Sequence, residues 1–249
     1  MCTYSRLFKN KKYQPNAKNK GIIPEKKSEL TNAVPIKCGV CFECKRQKSR
    51  EWSIRLQEEI QGTTWQFVTL TFSTEELKKI ARRSIKKGYE LDNDIAKKAV
   101  RRFLDRWRKN HGHSPKHWLI TELGNGRYEH MHIHGLIETD DKEKITENWK
   151  YGFAHIGKYV NEKTCNYIVK YITKEDKTHK AYTPKIMSAQ EMGLKYIDTP
   201  RAKRDKQLGY YTAKTGKRLP FPNYYRLKLY TEDEREDIWI VKLAPDHVH

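Results

Sequence analysis

The sequence predicts an α+β fold, an α/β sandwich in which helices flank a central antiparallel sheet and a cysteine-rich extension precedes it. Runs rich in β-branched and aromatic residues alternate with longer amphipathic runs in the order βαββαβα. The two central strands flank "GNGR", whose glycine and asparagine residues tolerate the positive φ of a tight turn. We therefore expect these two strands to pair antiparallel.

Length and charge narrow the class of protein. A chain of 249 residues suits one enzyme domain with extensions, and its net charge of +20 favours a polyanionic partner, above all nucleic acid. An acidic membrane surface is the alternative partner. However, the sequence has no apolar run near 18 residues and no signal-peptide core. We expect a soluble intracellular protein without a membrane partner.

The elements are predicted in three parts of the chain. Residues 1–62 form a basic cysteine-rich extension, with a loop or flexible arm over 9–27 and a basic helix over 43–60 that carries Trp52, Leu56 and Ile60 on one face. Residues 63–176 form the catalytic domain, and residues 177–249 form a C-terminal extension packed on it. The domain's predicted strands are 65–72, 116–123, 127–138 and 152–158, and its predicted helices are 92–109, 141–149 and 164–174. The first of these helices places Ile95, Ala99, Val100, Phe103 and Trp107 along one stripe.

Alternating histidines mark the strand "RYEHMHIHGLIE", residues 127–138. Side chains two residues apart on a strand share a face, so His132 and His134 project side by side, about 6.6 Å apart, with His130 one step further out. These imidazoles suit a divalent transition ion, and a carboxylate extends the choice to Mn²⁺ or Mg²⁺. Glu122 is the favoured carboxylate and Glu129 the second choice. A solvated strand face or a hydrogen-bond network would give the same pattern.

Gly135 follows the histidines directly. A glycine there leaves room for a backbone or a phosphate to approach closely.

Two tyrosines lie on the polar side of the predicted helix "TCNYIVKYITK". At helical spacing, an apolar stripe is opposed by a polar one that contains Tyr167, Lys170, Tyr171 and Lys174, while Cys165 belongs to the core. Residues four apart are surface neighbours, so both phenols could enter one cleft. Aromatics that stack on bases are the binding alternative. Beside a Lewis-acidic metal, a tyrosine could attack a phosphodiester, leaving a 5′-phosphotyrosine and a free 3′-hydroxyl.

Four cysteines form a second group of possible metal ligands. Cys38, Cys41 and Cys44 lie too close in sequence to favour mutual disulfides in a reducing cell, and three thiolates leave a tetrahedral zinc site one ligand short. Cys2 could complete it. An iron–sulfur cluster or plain reduced thiols are the alternatives.

In order and spacing, "VTLTF", "TELG", "HIHG" and "YIVKYITK" resemble the HUH endonuclease superfamily, in particular the replication initiators of Microviridae. The gokushovirus type is most similar, because this chain also has a cysteine after Met1, "CGVCFEC" followed by "REW", and "PNYY". The resemblance implies a central sheet of the HUH-endonuclease and RRM-like type.

The activity that the resemblance implies is that of a rolling-circle initiator, which nicks and rejoins origin DNA. His132, His134 and Glu122 would bind Mg²⁺ or Mn²⁺, while Tyr167 and Tyr171 would be paired nucleophiles assisted by Lys170. Its partners would be single-stranded origin DNA, double-stranded replicative-form DNA, and the replication helicase and polymerase of a bacterial host, in whose cytoplasm it would act.

Three alternatives remain open at this point. A plasmid initiator, relaxase or transposase of the HUH class would share the chemistry. A non-catalytic DNA-binding protein would use the tyrosines for stacking only. A metal-dependent oxygenase fits poorly, since its H-x-H motif usually accompanies a longer all-β pattern and gives no reason for the charge of +20.

Overall fold

The computed structural model describes residues 2–124, 131–157, 160–174 and 178–243. In chain order its strands are β1 (Arg6–Lys9), β2 (Ala33–Ile36), β3 (Trp65–Leu70), β4 (His117–Leu123), β5 (Met131–Glu138), β6 (Ala154–Ile156), β7 (Ile186–Ser188), β8 (Tyr211–Thr212) and β9 (Arg218–Leu219). Its α-helices are α1 (Phe42–Glu59), α2 (Thr74–Ala81), α3 (Gly88–His111), α4 (Glu143–Asn148), α5 (Glu162–Ile168), α6 (Pro200–Leu208), α7 (Asn223–Leu229) and α8 (Glu232–Leu243).

A five-stranded sheet forms the centre of the fold, in the order β6-β3-β5-β4-β7. Every neighbouring pair in it is antiparallel. Helices cover it, and a cysteine cluster lies near the N-terminus. The fold class predicted from the sequence is therefore confirmed.

Each face of the sheet has its own apolar core. One face packs against α2, α3 and α4, where all five residues of the predicted α3 stripe are buried. The other face packs against α1 and α5, through residues that include Leu56, Trp118, Leu136 and Ile168. Cys165 is fully buried in this second core, as predicted. The site residues of β4 and β5 lie on this second face.

Gly135 is buried in β5, where the neighbouring strand approaches closely. A Cβ at this position would lie 2.4 Å from the carbonyl oxygen of Trp118 and 2.9 Å from the Cα of Leu119, both in β4. Of the two predicted reasons for this glycine, close approach of a backbone is the one that the structure contains.

The chain divides into two compact units. One unit is Trp52–Tyr196, and the other combines Met1–Glu51 with Ile197–His249. These bounds differ from the predicted ranges 63–176 and 177–249. The unit with the sheet is longer because Leu56 packs in its core and β7 pairs with β4.

The second unit contains the N-terminal segment and the three C-terminal helices. β1 and β2 form a hairpin, and the loop after β1 is bound to α8 through Lys12 and Tyr13, which both contact the Glu236 carboxylate. Hydrogen bonds from the side chains of Asn16 and Asn19 shape the rest of this loop. The predicted loop over 9–27 is thus bound to the unit by specific contacts. No helix in the described ranges is long and apolar enough to span a bilayer.

Candidate active site

His132 and His134 lie on β5, on the sheet face that packs against α5. Their ring centroids are 6.2 Å apart and the planes differ by 22°, close to the separation expected for alternate residues of a strand. In the strand register, Glu122 of β4 is opposite His132, and Thr69 of β3 is opposite His134. Four polar side chains from three central strands therefore share one face.

Hydrogen bonds on both ring nitrogens hold His134. Its Nε2 is 2.7 Å from Oε2 of Glu122, and its Nδ1 is 3.0 Å from Oγ1 of Thr69. When Nε2 donates to the carboxylate, Nδ1 of a neutral ring accepts the hydroxyl proton of Thr69. Thr69 belongs to "VTLTF", and its two-residue strand period was a signal that could have placed it on the histidine face.

Glu122 lies between two donors. His134 contacts one carboxylate oxygen, and the ammonium of Lys174 contacts the other. Burial would raise the pKa of Glu122, but the hydrogen bonds from His134 and Lys174 outweigh it and hold the pKa below the ordinary value of a glutamate. The group is therefore an anion at neutral pH, as a cation ligand must be.

The two tyrosines meet beside this carboxylate. Helix α5 begins with a capping box between Asn161 and Thr164 and ends at Ile168. The chain then continues as a 3₁₀ helix, Val169–Ile172, so the predicted helix over 164–174 is α-helical only in its first part. The apolar stripe is buried as predicted.

Across the α-to-3₁₀ junction, the hydroxyls of Tyr167 and Tyr171 are 3.2 Å apart. The ring of Tyr171 stacks on His134, with centroids 4.5 Å apart and planes 13° from parallel. Burial raises the pKa of Tyr171, and the hydrogen bond with Tyr167 adds to the effect. Tyr167 is 51% exposed. One phenol is thus held against a predicted metal ligand while the other is open to solvent.

The two lysines of this segment have different surroundings. Lys174 contacts Glu122 and lies 5.6 Å from the ring centroid of Tyr171. Lys170 is exposed, and its ammonium has no partner among the residues that the structure describes. Sequence reasoning assigned the assisting role to Lys170, and the structure adds Lys174 as the lysine that contacts the site.

The remaining predicted ligands fall in three places. Glu129 and His130 lie outside the described residues. Cys2, Cys38, Cys41 and Cys44 come together in the other compact unit. Within the described ranges, these cysteines are the one group of three or more possible ligands whose atoms all lie within 4.8 Å of one another. The donors of His132, His134 and Glu122 are less closely gathered.

Comparison with known proteins adds independent support. Residues 65–176 match the family model of the replication-associated protein ORF2. The chain is also similar to replication-associated protein ORF2 of Spiroplasma virus 4, with 28% identity over 237 residues that cover 83% of this chain and 71% of the relative. No solved structure is significantly similar. The family match includes all six predicted metal-binding and catalytic residues of the sheet unit, and together the two matches support a role in phage replication.

Proposed function

We propose that this chain is a rolling-circle replication initiator, an HUH-type endonuclease that nicks origin DNA and rejoins it through tyrosine. The observation that carries the proposal is the pair of phenols 3.2 Å apart beside the His134–Glu122 pair. The similarity to phage replication-associated proteins and the net charge of +20 support DNA as the substrate.

The nicking step is a transesterification. Oη of Tyr167 loses its proton to solvent and attacks the scissile phosphorus, the P–O3′ bond breaks, and O3′ gains a proton. The product is a 5′-phosphotyrosine and a free 3′-hydroxyl. The phosphodiester bond is exchanged rather than hydrolysed, so attack by a 3′-hydroxyl can reseal the strand without ATP. Tyr171 is near enough to Tyr167 to act in a second transfer while the first tyrosine remains linked.

His132, His134 and Glu122 would hold a divalent ion, Mg²⁺ or Mn²⁺, and the donor set fits. Two neighbouring ligand atoms of an octahedral ion lie about 3 Å apart when the bonds are near 2.1 Å, and Nε2 of His134 is 2.7 Å from Oε2 of Glu122. When bound, the ion supplies Lewis-acid polarisation of the phosphate.

The other residues position the reacting groups. Thr69 fixes the ring of His134, Tyr171 stacks on that ring, and Lys174 balances the charge of Glu122. The exposed Lys170 is available to meet the DNA backbone. We propose single-stranded origin DNA and the replicative-form duplex as substrates, and the replication helicase and polymerase of a bacterial host as partners in its cytoplasm.

Covalent adduct formation tests the proposal. Purified protein is incubated with Mn²⁺ and a randomised pool of single-stranded oligonucleotides, and separately with supercoiled replicative-form DNA, and SDS-resistant adducts are separated and sequenced. The variants are Tyr167→Phe, Tyr171→Phe and the double substitution. Tyr210→Phe is the matched control, because Tyr210 is a partly exposed tyrosine of the other compact unit.

We expect an adduct that requires metal, survives in the control variant and disappears in the double variant. The exposure of Tyr167 predicts that Tyr167→Phe reduces the first adduct more than Tyr171→Phe does. Tight DNA binding without an adduct on any of these substrates would overturn the proposal and leave a non-catalytic DNA-binding protein. A plasmid initiator, relaxase or transposase would also form an adduct, but the adduct sequence would then not be a phage origin.

A further inference from the structure

We propose that Cys2, Cys38, Cys41 and Cys44 bind one structural Zn²⁺ ion. Sγ of Cys2 is 3.6 Å from Sγ of Cys38 and 3.9 Å from Sγ of Cys41. Sγ of Cys38 is 3.9 Å from Sγ of Cys44. All four sulfurs lie within 4.8 Å of one another, so they form one cluster. This inference does not rest on the proposed nickase activity.

The sulfur separations are those of a tetrahedral thiolate site. Four sulfurs at about 2.3 Å from a central zinc are about 3.8 Å from each other. A disulfide brings two sulfurs to about 2 Å and leaves the other two apart, whereas here Cys2 and Cys38 each approach two others. Iron–sulfur clusters place several metal atoms and sulfides between the thiolates, which therefore lie further apart than here.

The surroundings of the sulfurs favour thiolates. Backbone N–H groups of Cys38 and Cys41 point at Sγ of Cys2 and Sγ of Cys38, at 3.4 Å and 3.3 Å. A surface cavity at the cluster is lined by three basic side chains and one acidic one, Lys37, Arg46, Arg50 and Glu43. A zinc ion with four thiolates has a net charge of −2, which N–H donors and nearby cations stabilise.

The hairpin next to the cluster has little apolar burial of its own. Every residue of β1 is exposed, and Leu7, Phe8 and Ile36 remain largely exposed in the paired strands. An isolated two-stranded hairpin is marginally stable in water. Cys2 precedes β1, Cys38 follows β2, and Cys44 is in the first turn of α1. One ion would therefore bind the start of the hairpin to its end and to the helix that follows.

Metal analysis of the full chain, expressed without a histidine tag, tests the proposal. Zinc is quantified after dialysis into Mg²⁺ buffer, and a mercurial that modifies thiols is added to release it. The His132→Ala/His134→Ala variant removes the other candidate site, the Cys38→Ser/Cys41→Ser variant removes two proposed ligands, and Cys165→Ala is the matched cysteine control. Substitution of the wild-type ion by Co²⁺ reports coordination even if a cysteine variant fails to fold.

We expect one zinc per chain in the wild type, the histidine variant and the control, released by the mercurial, and loss of zinc in the double cysteine variant. The cobalt form should show thiolate-to-metal charge transfer and the intense d–d bands of a tetrahedral site. Iron in place of zinc, a disulfide among these cysteines, or five freely titrating thiols in metal-free native protein would each overturn the proposal. So would zinc that leaves with the histidines and stays without the cysteines.

Discussion

Replacing Thr69 by valine should weaken metal binding without unfolding the sheet. The hydroxyl of Thr69 is the partner of Nδ1 of His134 at 3.0 Å, and valine keeps the branched shape that suits strand β3. After the change, His134 retains its contact with Glu122 and its stacking on Tyr171. Only the orientation of the ring and its preferred tautomer lose support.

The magnitude follows from the type of contact. Loss of a hydrogen bond to a metal-ligating histidine costs about 10- to 100-fold in metal affinity. The remaining contacts of His134 place the expected loss near the lower end, about tenfold, or about 1.4 kcal/mol. Stability should fall by about 1 kcal/mol, the net value of one neutral hydrogen bond. In a chain of this size that lowers Tm by about 2–4 °C.

Mn²⁺ titration followed by electron paramagnetic resonance measures the affinity without any requirement for nicking. Wild type, Thr69→Val and Thr69→Ser are compared after removal of bound metal. Thr69→Ser retains the hydroxyl and should bind Mn²⁺ nearly as wild type does. Equal affinity in the valine variant would refute the positioning role of Thr69, and equal losses in the serine and valine variants would indicate that packing matters rather than the hydroxyl.

Three further outcomes are expected. Gly135→Ala should cost about 2–3 kcal/mol in chemical denaturation because its Cβ meets the β4 backbone, whereas Gly157→Ala, whose Cβ would be 3.2 Å from a side chain, should cost less than about 1 kcal/mol; equal costs would contradict this. Lys174→Met should tighten Mn²⁺ binding about 2- to 5-fold, since it removes a half-exposed cation from Glu122; weaker binding would instead mean that the ammonium supports the site. Although burial of Glu236 raises its pKa, its contacts lower the pKa below 4.5, so they stabilise the fold above about pH 4.5 and are lost in acid. The Tm advantage of wild type over Glu236→Gln should therefore shrink between about pH 5 and pH 3, and an advantage independent of pH would contradict it.

Sequence periodicity predicted the elements whose side chains follow a regular spacing. The α3 stripe, the shared face of His132 and His134, and the buried side of α5 all follow from a fixed period. Strand β7 was missed because it is three residues long and exists through its pairing with β4. Helix α2 and the C-terminal helices α6, α7 and α8 were also not assigned.

Helical spacing located the tyrosine face but could not choose between its lysines. Lys170 and Lys174 both belong to that face, yet only Lys174 contacts Glu122 in the described structure. The choice depends on the change from α to 3₁₀ geometry after Ile168, which alters the direction of the later side chains. Contacts across the sheet, such as Thr69 with His134, depend on register, and the sequence did not specify the β3–β5 register.

Glu122 links the cation chemistry of the site to the position of Lys174. Its two oxygens are bonded to His134 and to Lys174, so an ion that takes Glu122 as a ligand competes with both contacts. Lys174 is half exposed and lies beside the ring of Tyr171. An ammonium displaced from the carboxylate at this position remains next to the tyrosine pair, where a phosphate would also lie. Metal binding and the placement of a positive charge near the reacting phosphate are thus coupled through a single carboxylate.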